Sequence, residues 1–119
     1  MTDYSKHVKR LLRELAAEAY EKELSRELAK LEKSFDDWRE GRINSAELSD
    51  RIHQYEGGPS RELYKKYNDG QNDFNVAFAI VTGLLDREEV PEQLMEAIDN
   101  HVRFYESLKD SGELRLPGE

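Results

Sequence analysis

From Tyr4 to Arg39 the chain holds neither glycine nor proline, and its apolar residues recur at the three- and four-residue intervals of an α-helix. The spacing predicts one helix over that whole stretch, far longer than is usual in a globular domain. Projected at about 100° per residue, Val8, Leu11, Leu12, Leu15 and Ala19 share one face. Leu24, Leu28, Leu31, Phe35 and Trp38 lie most of half a turn away, and Ala16, Tyr20 and Leu24 carry the stripe across. A stripe that rotates this far does not face one neighbour along its length. Either the helix touches two different helices of its own chain, or its C-terminal half joins the core while its N-terminal half meets a second partner. An open Leu/Val stripe is a liability in an isolated molecule. On that ground the expectation is a homodimer formed through the N-terminal half.

Three punctuation points divide the chain: Glu40-Gly41-Arg42, Gly57-Gly58-Pro59, and Gly83 through Pro91. They predict four helices. The second starts at Asn44 as cap, with Glu47 completing a capping box and Ile43 and Leu48 placed as a hydrophobic staple. It ends at Gly57 as a left-handed cap, and Pro59 suits the first position of the next helix. The third spans roughly Ser60 to Leu85. Asn68-Asp69-Gly70 would split it if it forms a turn, whereas Gly70 on the apolar stripe would admit a close neighbour if it does not. From Val76 to Val81 apolar residues surround the axis, which predicts the centre of the fold. A short turn capped by Asp86 and a helix from Pro91 to Leu108 complete the set, with Leu94, Ile98, Val102, Tyr105 and Leu108 as the buried stripe. The predicted architecture is all-α, a four-helix bundle-like domain over residues 1–109 with a long N-terminal helix. Residues 110–119 read as a flexible tail on which Leu114 and Leu116 could dock.

Hydrophobic residues make up 37% of the chain, enough for one core, and Leu far outnumbers Val and Ile, as helices prefer. Cysteine is absent, which excludes a disulfide framework, a thiolate nucleophile and a cysteine zinc site. The opening residues show no apolar signal region and no stretch approaches membrane-spanning length, so cytoplasmic residence without a membrane partner is expected.

The net charge is −8, unevenly spread. Lys6, Lys9, Arg10 and Arg13 stand against Asp3 alone at the start, leaving the rest of the chain strongly acidic. Phosphate backbones repel so acidic a chain, which argues against nucleic-acid binding. The basic start opposes the helix macrodipole. Acidic groups of the same chain, of a second copy or of an anionic protein partner would offset it.

Chemistry is thinly signalled. His101 lies beside Ile98, Val102 and Tyr105 on an apolar face, which reads as a histidine at the core edge; His7 and His53 read as solvated. A carboxylate-bridged metal bundle needs inward Glu-x-x-His pairs. The nearest approach, Asp50-x-x-His53, points outward, and Ile98 stands three residues before His101. Glu14 and Glu18 are placed instead for ion pairs with Arg10 and Lys22. The run Asn68 to Asp73 lacks the ligand spacing of a calcium loop. There is no glycine-rich phosphate loop, no Gly-x-Ser-x-Gly and no His-Glu-x-x-His. No metal or cofactor is implied. The expected function is a non-enzymatic protein–protein interaction, regulatory or adaptor module, the alternative being a carboxylate/histidine metal-binding or enzymatic bundle. The expected contact surface comprises Lys6, Val8, Lys9, Arg10, Leu12, Arg13 and Leu15, with Tyr64 and Tyr67, since tyrosine is favoured at interfaces.

Overall fold

Ser5 opens the first helix by accepting the Val8 N–H on its hydroxyl at 3.1 Å, and α1 (Lys6–Arg39) then runs unbroken. A computed structural model describes residues 3–118, so the first two positions of the expected domain and the last of the expected tail lie outside it. Gly41 turns the chain with φ at +78°, and Asn44 caps α2 (Ser45–Tyr55) by accepting the Glu47 N–H at 2.8 Å. Both caps supply acceptors to N–H groups that a helix start cannot satisfy internally.

The expected stop at Gly57 does not occur. Residues Glu56–Ser60 form a π turn that leads directly into α3 (Arg61–Tyr67), and neither Gly57 nor Gly58 adopts a positive φ. Proline lacks an N–H and its ring collides with the carbonyl four residues back in a regular helix. Bonding to the fifth residue instead lets the backbone pass Pro59 and bends it there. The real break lies downstream. Gly70, at φ +84°, turns the chain between α3 and α4 (Asn72–Val81), and a Cβ on it would meet nothing within 4 Å. The turn, not a close helix contact, explains this glycine, so the helix expected over Ser60–Leu85 is divided between two elements.

Beyond Gly83 (φ +79°) a 3₁₀ turn, Arg87–Glu89, forms where Asp86 accepts the Glu88 N–H at 3.0 Å. Next come α5 (Glu92–Ala97) and α6 (Asp99–Asp110), separated only at Ile98. The described residues thus form four helical rods: α1, the kinked α2–α3 unit, α4, and the α5–α6 unit. It forms the expected all-α, bundle-like fold with a long N-terminal helix, and no strand occurs among the described residues.

The core surrounds α4. Val76, Ala77 and Ala79 are fully enclosed, with Ile80 and Val81 nearly so, as their all-round hydrophobicity requires. Val8, Leu12, Ala16 and Ala19 of α1 cover one side; Leu94, Ile98 and Val102 of α5–α6 cover another. Each large side chain sealed here contributes about 1.5–3 kcal/mol. α6 runs in the direction of α4, with His101 beside Phe74 at the start and the Lys109 Nζ donating to the Val81 carbonyl at the end, 3.2 Å away. Past Gly112 the chain turns back, and Leu114 rests on the core.

Here the sequence expectation is corrected. Val8 and Leu12 are only 4% exposed, and Leu15 packs half-buried on the same core, so the N-terminal half of α1 has its neighbours within its own molecule. The α2–α3 unit returns along the C-terminal half, where the Arg51 Nη1 donates to Ser34 Oγ at 3.2 Å and Lys66 meets Glu23. One long helix therefore serves two neighbours of its own chain. Its far end and α2 form an arm two helices thick. The radius of gyration, 17.2 Å, exceeds the roughly 13.5 Å expected of a sphere-like chain of this length.

Candidate binding surfaces

The residues singled out in the sequence separate into two groups. Val8, Leu12 and Tyr67 are buried, so none of these three offers a contact face, and Leu15 is half-buried on the core. Lys6, Lys9, Arg10, Arg13 and Tyr64 are exposed. Arg10 contacts the His7 ring at 3.0 Å and not Glu14, while Lys22 pairs with Glu18 at 3.5 Å as its spacing implies. The basic start thus remains a solvated stretch.

The feature missed in the sequence is Glu23, a carboxylate only 7% exposed. It continues the buried row Val8, Leu12, Ala16, Ala19 by one further helical step, so its position was a readable signal. Burying a carboxylate is costly unless it is paired and hydrogen-bonded. Here one oxygen, Oε2, accepts from the Lys66 Nζ at 3.0 Å and from the Tyr67 hydroxyl. The Tyr67 ring stacks on Tyr20 at 5.2 Å between centroids, and burial, followed by the Glu23 bond and charge, drives its phenol far above the ordinary range. The Lys66 Nζ also stands 3.9 Å from the centre of the Phe78 ring, a cation–π contact. This cluster ties α3 to α1 and α4 at one point.

Beside it lies a cavity of about 530 Å³. It lies between α1 and the segment of the α2–α3 unit that carries the π turn. Arg26, Glu27 and Lys30 form the α1 wall, and Pro59, Glu62 and Leu63 the opposite one. Phe78 and Lys66 provide the floor, while the tail from Arg115 to Gly118 closes an end. Its volume falls within the range of small-molecule sites.

A second polar cluster joins the chain start to α4 and α6. The Tyr4 hydroxyl donates to Asp73 Oδ2 at 2.9 Å, and the His101 Nε2 lies 3.5 Å from that oxygen. The imidazole packs edge-on against Phe74, and its Nδ1 is buried without a hydrogen-bond partner among the described residues. Burial and then the Asp73 charge raise the Tyr105 phenol. His53 is exposed, and no group of three His, Asp or Glu side chains converges to hold a metal among the described residues.

The arm supplies part of the exposed apolar surface, and Tyr64, Phe74, Phe104 and Leu116 are exposed elsewhere. Of Leu24, Leu28, Leu31, Phe35 and Trp38 none is buried; Leu28 is 45% and Trp38 41% exposed. From α2 only Leu48 is sealed, whereas Ile52 and Tyr55 stay half-buried. A groove of about 270 Å³ enters the seam near Leu31, Tyr55 and Pro59. The indole Nε1 donates to Ser45 Oγ at 3.0 Å and fixes Trp38 at the arm's tip. No helix among the described residues is long and apolar enough to cross a membrane. Compared with known proteins, the chain matches no family model, no curated protein and no solved structure.

Proposed function

We propose that the protein is a non-enzymatic interaction module of the adaptor or regulatory kind, and that it pairs with a second copy of itself through the arm. The observation that carries this reading is the half-covered apolar row from Leu24 to Trp38, which stands where, among the described residues, the α2–α3 unit packs on one side. A two-helix layer lacks the third and fourth neighbours that seal a helix bundle, and a second arm supplies both.

Charge favours a copy over a foreign partner. The chain carries −8 overall, yet Arg26, Lys30, Lys33, Arg39, Arg42 and Arg51 nearly balance the carboxylates between Leu24 and Tyr55. Two acidic molecules therefore meet at their least repulsive surfaces. The arm from Leu24 to Arg39 is about 24 Å long and two helices, roughly 20 Å, wide, so each face offers about 500 Å². A pair then buries on the order of 1,000 Å², the lower bound for a specific interface, as a weak dimer does. Sedimentation velocity across a range of concentrations tests this. The wild type should pass from monomer to dimer, and Leu28→Glu should hold it monomeric. A monomer at every concentration, or a dimer unaffected by Leu28→Glu and Trp38→Glu, refutes arm-to-arm pairing.

A further inference from the structure

The cavity at the helix kink adjoins the arm seam, with which it shares Glu27, Lys30 and Pro59, and carries charges that the fold does not use. Four of its ionisable side chains are committed: Glu23 and Lys66 to each other, with the Tyr67 hydroxyl also on Glu23, and Glu27 to Lys30 at 2.8 Å. Arg26 on the α1 wall and Glu62 on the α3 wall are different. Neither makes an ion pair or side-chain hydrogen bond among the described residues, although both face the same cavity. An unpaired cation and an unpaired carboxylate on facing walls, too far apart to satisfy one another, are complementary to a molecule bearing both charges. Between them, among the committed charges, lie Leu63 and Pro59 on the wall and the Phe78 ring, over which the Lys66 Nζ stands.

We infer that this cavity binds a small zwitterion with an apolar body, the chemistry of a free apolar α-amino acid. Arg26 takes the carboxylate, for which a guanidinium offers paired donors. Glu62 takes the ammonium, and the side chain lies over Leu63 and Phe78. About 530 Å³ accommodates an aromatic side chain, and the tail from Arg115 to Gly118 bounds the end of the cavity. Such a ligand spans the kink between α1 and α3 and bridges the two rods that the π turn separates.

The probe is L-phenylalanine, titrated into the full chain by calorimetry and by amide chemical-shift mapping. A ligand this small binds with a dissociation constant on the order of 1 mM. 3-Phenylpropanoate lacks the ammonium and phenethylamine lacks the carboxylate; each should bind about fivefold more weakly, the loss of one ion pair. Arg26→Gln should bring phenylalanine down to the level of phenethylamine on the wild type, and Glu62→Gln down to that of 3-phenylpropanoate. Both side chains are exposed, so the variants keep the fold, and shifts should cluster at residues 23–30 and 59–66. Equal binding of all three probes, unchanged binding by both variants, shifts confined to other helices, or no binding of phenylalanine at 20-fold above about 1 mM each overturn the inference.

Discussion

Replacing one leucine in each half of α1 by alanine measures which half is core. Leu12 is 4% exposed and touches the cluster around α4. Its truncation loses the transfer free energy and leaves a cavity that α4 cannot collapse into, because Val76, Ala77 and Ala79 are themselves fully packed. The cost is about 3 kcal/mol. Leu28 is 45% exposed and sits on the arm. Only about half of its transfer term is at stake and solvent fills the space, so the cost is about 1 kcal/mol. Urea titration followed by circular dichroism gives both values. With a slope of about 1.5 kcal/mol/M for a chain of this size, the midpoint falls by about 2 M for Leu12→Ala and by about 0.7 M for Leu28→Ala. Trp38, the sole tryptophan, reports separately on the arm tip by fluorescence. Equal shifts, or a larger one for Leu28→Ala, refute the placement of the core.

Gly57→Ala and Gly58→Ala each stabilise by about 0.4–1 kcal/mol, because both glycines are helical and a Cβ meets nothing within 4 Å. Gly70→Ala destabilises by about 1 kcal/mol or more, since its φ is +84°; thermal melts of the three variants check the signs, and a destabilised Gly57→Ala would restore the left-handed cap. Glu23→Ala costs about 1–3 kcal/mol by stranding the Tyr67 hydroxyl, and Glu23→Gln costs less because it keeps an acceptor. The raised Tyr67 phenol keeps a proton in the folded state that the unfolded chain releases near pH 10. Stability is therefore full below that pH and falls above it by about 1.4 kcal/mol per pH unit. Tyr67→Phe should reduce that slope, read from denaturation midpoints between about pH 9 and 11, leaving the smaller contribution of Tyr105.

Local rules made most of the elements legible. The unbroken run from Tyr4 to Arg39, the Asn44 cap and the all-round apolar stretch from Val76 to Val81 all follow from short-range spacing, and the structure contains each of them. Gly57-Gly58-Pro59 misled because a helix stop and a π turn use the same residues. Which occurs depends on whether α1 offers a continuous surface for the chain to follow. The rotation of the apolar stripe was readable, but the identity of the covered half was not, since α4 and α5, which pack on it, come from the distant end of the chain. The pairs Glu23–Tyr67, Tyr4–Asp73 and Asp73–His101 span long separations and arise only from packing. The kink cavity has no sequence motif at all.

Native-state hydrogen exchange, run below the concentration at which copies associate, tests the central division of α1 most directly. Amides from Val8 to Glu23 should exchange only through global unfolding, with the same free energy as those of α4. Amides from Leu28 to Arg39 and throughout α2 should open locally at lower free energy, as a two-helix arm with one buried leucine permits. Uniform protection along the whole helix, or stronger protection in its C-terminal half, contradicts the account.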